Sequence, residues 1–147
     1  MVTEFFSEFV QKNNMLVGIL ICALITSILW IIFPIGAFFV ADIYLVIGNC
    51  LGLYLTFKNR KETQSHIKTG IIVGLTGSIL GLILIGILDW IVYSFWTRFD
   101  FFLLMEYLVF LFYYYGIVFA LVGLIAGYLF GNRYKKRDNI GKTTSLL

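Results

Sequence analysis

Asp42, Asp89 and Glu106 are the only acidic or basic residues within three apolar runs, 15–57, 69–96 and 101–131. An ionisable side chain held inside a lipid-spanning helix costs roughly 2.5–3.5 kcal/mol on insertion scales, so each is a candidate functional group. Carboxylates in such a place can bind a cation or take up a proton. Asp42 has the strongest pattern, because Leu45, Asn49, Gly52 and Thr56 follow it at spacings of three and four and share its helical face. Asn49 extends that polar line inward. Glu106 shares a face with Tyr113, Gly116 and Gly123, and Asp89 falls near the end of its run, about a quarter turn from a glycine face. Asp42, Asn49, Asp89 and Glu106 therefore form the candidate ion or proton site. The plainer reading of Asp89 and Glu106 is that both reach the headgroups and mark an interface, with Arg98 able to neutralise one of them.

Other chemistry is poorly represented. The single histidine, His66, lies in a charged segment far from both cysteines, so no metal-ligand set forms. Cys22 and Cys50 stand equally far from Gly36 and read as small packing residues rather than a disulfide. Gly141-Lys142-Thr143 imitates the end of a phosphate loop, but Lys136 occupies the position of its first glycine. Serine, histidine and cysteine are not grouped for nucleophilic catalysis. These patterns imply no enzyme, no cofactor and no metal.

The elements that must position the carboxylates follow from lipid as solvent. Apolar residues make up 61% of the 147 and charged residues 13%, against roughly 45–50% and 25% in soluble domains. A helix needs about 20 apolar residues to cross a bilayer core. Residues 15–57 are too many for one crossing, and Pro34 with Gly36 supplies a break. The expected spans are 15–33, 36–57, 70–96 and 101–131, followed by a basic tail at 132–147. The fold class is all-α, a single four-helix transmembrane bundle of two antiparallel helical hairpins. Residues 2–12 form a short amphipathic segment suited to the membrane interface, with two glutamates where a secretion signal would be basic.

With both termini cytoplasmic, ten lysines and arginines lie inside and Arg98 alone lies outside, a strong positive-inside signal. The basic tail faces anionic lipid headgroups, which accounts for it without nucleic acid. Trp90, Tyr93, Trp96, Tyr107 and Tyr113–Tyr115 cluster at the outer boundary, as an interfacial belt or as the walls of an outward-opening pocket.

Glycine lets membrane helices approach closely. Gly48 and Gly52, then Gly70, Gly74, Gly77 and Gly81, then Gly116, Gly123, Gly127 and Gly131 form three such faces, for contact within the chain or between copies. The ends of the second and fourth spans are alike: Gly52-Leu53-Tyr54-Leu55 runs into Asn59-Arg60-Lys61, and Gly127-Tyr128-Leu129 into Asn132-Arg133. That similarity suggests one hairpin used twice. Over 47–84 and 120–132 the chain resembles small archaeal glycine-rich four-helix membrane proteins of unknown function, a resemblance that implies no catalytic residues and no ligand.

Two functions follow. One is a non-catalytic packing or complex subunit in the cell membrane, as a homo-oligomer or within a larger assembly. The other is a small transporter or ion-conducting oligomer that uses the carboxylates.

Overall fold

A computed structural model describes the backbone of residues 13–32, 38–58, 65–96 and 100–144, and the side chains of these except at 38–42 and 139–144. Four helices account for nearly all of it: α1 Asn14–Ile32, α2 Phe38–Lys58, α3 His66–Trp96 and α4 Phe101–Thr144. The chain is all-α, and no strand occurs among the described residues. Helices α1, α3 and α4 are each long and apolar enough to cross a membrane. The amphipathic segment expected at 2–12 lies outside the described residues, as do Pro34 and Gly36, although α1 ends and α2 begins on either side of that pair.

Local chemistry sets the helix starts. The Ser65 carbonyl accepts the Thr69 N–H at 3.0 Å, so α3 begins at His66 rather than near Gly70. Asp100 caps α4, its Oδ1 accepting the Phe102 N–H at 2.9 Å. The far end of α4 differs more from expectation. The helix does not stop at Gly131 but continues through thirteen further residues to Thr144. At about 1.5 Å per residue its 44 residues span about 66 Å, twice the roughly 30 Å of a hydrocarbon core. The onset of charge after Gly131 marks where apolar solvent ends, and Asn132–Lys136 contains no helix breaker.

The extension is packed. Tyr134 stacks on Phe57 with ring centroids 4.8 Å apart, and Asp138 meets His66 Nε2 at 2.6 Å. His66 is thus a partnered residue at the start of α3, not a solvated loop histidine.

Contact between backbones organises the bundle. None of the described glycines takes a positive φ, so their role is close approach rather than turning. Helices α1 and α2 run in opposite senses: Gly18 meets Gly52 and Thr56, while Gly48 meets Cys22 and Thr26. Helices α3 and α4 do the same, with Gly70 against Gly127 and Gly74 against Gly123. At each of those two positions a methyl group would overlap a carbonyl oxygen of the facing helix. Gly77 and Gly81 of α3 face Cys22 and Ala23 of α1, which joins the two pairs. Helices α2 and α3 both touch all three others, and α1 and α4 flank them.

Gly116 departs from the expected stripe. A methyl there would meet only Phe112 of its own helix, at 3.4 Å. Gly18 and Gly86 are contact glycines that the spacing patterns missed.

Two apolar clusters fill the interior. Leu53, Phe57 and Val73 lie toward one end, and Leu45, Leu82, Ile85, Leu111 and Phe119 toward the other. Cys22 and Cys50 are free thiols, the first buried against Gly52 and Gly77.

Candidate functional site

The separation of α3 and α4 changes along their length. Where Gly70 and Gly74 face Gly127 and Gly123, the two backbones touch. At Gly86 the facing groups are the side chains of Leu108 and Leu111, whose methyl carbons would lie 2.6 and 2.9 Å from an added methyl. One turn further, aromatic residues of both helices face each other. A cleft of about 520 Å³ opens between them there, lined by Asp89, Trp90, Tyr93, Leu103, Glu106, Tyr107 and Phe110.

Asp89 sits at this cleft, partly buried, and is held from two sides. Trp30 of α1 donates its indole N–H to Oδ1 at 3.0 Å and Oδ2 at 3.2 Å. Tyr107 of α4 donates its hydroxyl to Oδ2 at 3.0 Å. One carboxylate therefore ties together three helices. These donors offset part of the cost of removing the charge from water, since hydrogen bonds to a charged group are worth about 1.5–3 kcal/mol. A carboxylate has about four lone-pair sites, so acceptor capacity remains. The cleft rim is fixed as well: Trp90 donates Nε1–H to the Asp100 carbonyl at 3.0 Å, which anchors the end of α3 to the start of α4.

Of the four predicted site residues, the structure brings two together. Asp89 and Glu106 line the same cleft, with Glu106 the more exposed. Asn49 lies elsewhere. Its Nδ2 donates to the Leu45 carbonyl at 3.0 Å and to Ser78 Oγ at 2.9 Å, fully buried between α2 and α3. Ser78 stands eleven residues before Asp89 on α3, a helical rise of about 16 Å, so Asn49 is not part of the Asp89 site. The physical reason is helix pairing: the polar stripe of α2 is taken up by α1 and α3, not by the cleft. Asp42 belongs to α2 two turns from Asn49, and its side chain lies outside the described residues. Arg98, the expected counter-ion, does too.

The stripe has internal uses. Thr56 Oγ1 donates to the Gly52 carbonyl at 2.9 Å, and Asn14 Nδ2 donates to the Thr56 carbonyl at 3.3 Å. Asn49 Oδ1 is buried and unpartnered.

Sequence reasoning missed Trp30 altogether. It is 59 residues from Asp89, and no local period connects them. Among the described residues no group of three or more histidine, cysteine, aspartate or glutamate side chains could hold a metal ion. No protein-family model, no curated protein and no solved structure matches the chain.

Proposed function

We propose that this chain is a small multi-pass membrane protein, both termini cytoplasmic, that works without catalysis and presents one carboxylate-centred site for a cation or a proton. The observation that carries the reading is the Asp89 cluster: a charge kept within an apolar helix, held by Trp30 and Tyr107 and open to a cleft. A residue needed only to mark an interface requires no such positioning. The glycine faces have a supporting role. Glycine contacts bring the backbones together at one end of the α3–α4 pair, and side chains line the cleft at the other. Lipid is the expected surrounding for the exposed apolar residues of all four helices. The resemblance to small archaeal four-helix membrane proteins is consistent with this reading and adds no activity.

The test is reconstitution of the full chain in liposomes, with cation and proton flux recorded for the parent and for Asp89→Asn. The reading expects flux in the parent and its loss in the variant, with both proteins equally folded. Equal flux in the two, or none in the parent, contradicts it.

A second reading, a subunit of a homo-oligomer or larger complex, is favoured by one observation. Gly116 is the predicted contact glycine left uncovered within the chain, on the exposed face of α4 beside Tyr113 and Ile117. Gly116→Leu should then change the mass of the assembly in native mass spectrometry, and an unchanged mass counts against that reading.

A further inference from the structure

We infer that the cleft between α3 and α4 is built for an organic ammonium ion, a protonated or quaternary amine carrying an apolar group, rather than for a hydrated metal cation. The inference rests on the reading of Asp89 as the working carboxylate and adds the class of ligand. The walls supply the argument. Trp90, Tyr93, Tyr107 and Phe110 contribute four aromatic rings, and among the described residues lining the cleft Asp89 and Glu106 are the charged ones.

A calcium ion takes six to eight oxygen ligands, and magnesium requires a near-octahedral set. The cleft offers two carboxylates and two phenols, one of which already donates to Asp89. A calcium or magnesium ion entering here would lose more water ligands than these side chains replace. An alkylated ammonium makes no such demand. Its charge is spread over methyl or methylene groups, it is weakly hydrated, and aromatic faces attract it.

Size and charge agree. The volume of about 520 Å³ lies within the ~300–1,000 Å³ of pockets that hold small organic ligands. Two acidic groups facing an apolar space complement one or two positive charges. Position agrees as well, because Trp90 is fixed by its bond to the Asp100 carbonyl and Tyr107 by its bond to Asp89. Two of the four rings are therefore positioned before any ligand arrives, which reduces the ordering cost of binding. The occupant is a free amphipathic amine.

The experiment is calorimetric titration of the purified full chain in dodecyl maltoside, a detergent without an ammonium group, with benzyltrimethylammonium. Neopentylbenzene, which replaces the nitrogen by carbon, is the neutral counterpart. Saturable binding of the cation is expected, weakened by about tenfold or more in Asp89→Asn and in Trp90→Leu, and unaffected by excess sodium or magnesium. Glu106→Gln, an exposed substitution that leaves the fold intact, should weaken binding less than Asp89→Asn. Absence of saturable binding in the parent, equal affinity for neopentylbenzene, or competition by magnesium overturns the inference. So does displacement by added phosphatidylcholine, which would make a lipid headgroup the occupant. If Asp89→Asn abolishes ion or proton flux while benzyltrimethylammonium does not bind, the ligand class fails and the carboxylate reading stands. If Asp89→Asn alters neither, both fail.

Discussion

Gly74→Ala adds one methyl group where the backbones of α3 and α4 touch, and its cost follows from the geometry. The new carbon would lie 3.1 Å from the Gly123 carbonyl carbon and 3.2 Å from the Gly127 Cα, and would overlap the Gly123 oxygen. Carbon atoms rest at about 3.5–4.0 Å, and a gap of 0.5–1 Å forfeits a quarter to a half of the contact energy at each affected pair. The facing atoms are backbone, so no side chain can rotate aside. Helices α3 and α4 must move apart, and overpacking of this kind costs about 1–3 kcal/mol. Water does not drive helices together in lipid, so close packing carries much of the association and its loss is not repaired elsewhere. Gly116→Ala is the matched control. Its methyl meets only Phe112, and alanine favours helix by about 1 kcal/mol over glycine, so that variant should be neutral or slightly more stable. Unfolding by sodium dodecyl sulfate in mixed micelles, followed by tryptophan fluorescence, measures both. Gly74→Ala should unfold at lower denaturant with an equilibrium shift of about five- to a hundredfold, using 1.4 kcal/mol per decade. Equal stability of the two alanine variants would refute the claim that α3 and α4 are held by backbone contact.

Three further outcomes follow. Trp30→Phe removes one donor from Asp89 and should destabilise the protein by about 0.5–2 kcal/mol in the same assay, in line with interhelical hydrogen bonds in membranes. Most of that cost should vanish when the change is made in an Asp89→Leu background, and full additivity would mean that the indole acts through packing alone. Arg133 and Arg137 line a recess of about 240 Å³ with Tyr54, Phe130 and Tyr134 at the end of the bundle opposite the cleft. Arg133→Gln combined with Arg137→Gln should reduce retention of anionic lipid during purification, read by lipid mass spectrometry, and leave benzyltrimethylammonium binding unchanged. Tyr134→Ala removes the ring stacked on Phe57, so the extension of α4 should become susceptible to protease between Arg133 and Lys136.

Legibility of the chain from its sequence depended on whether a feature is local. The four helices and most of their bounds follow from runs of apolar residues, because lipid forces backbone polar groups into helices. Nine of the ten predicted contact glycines do face another helix, since small residues at spacings of three and four make a face wherever they occur. Gly116 obeys the same spacing but falls where the bundle leaves α4 uncovered, which spacing alone does not encode. The helix of α4 runs past the expected span end at 131 because a change from apolar to charged residues marks a change of solvent, not of backbone geometry. For the site, the sequence singled out Asp89 and Glu106 as costly charges. It grouped Asn49 with them because α2 carries one polar stripe, whereas partner choice depends on how α2 rotates against α1 and α3. Trp30 gave no signal at all, since its value comes from a pairing across 59 residues.

The proposal depends on four crossings of the membrane, which places the 58–68 segment and the end of α4 on one side and the α3–α4 turn on the other. Single cysteines at Glu62→Cys, Lys135→Cys and Thr97→Cys, in a background of Cys22→Ser and Cys50→Ser, report this directly through a membrane-impermeant maleimide applied to intact cells. Labelling of position 97 alone, with 62 and 135 reacting only after the membrane is opened, is the predicted result. Labelling of 62 and 135 in opposite conditions, or of all three from outside, would contradict it.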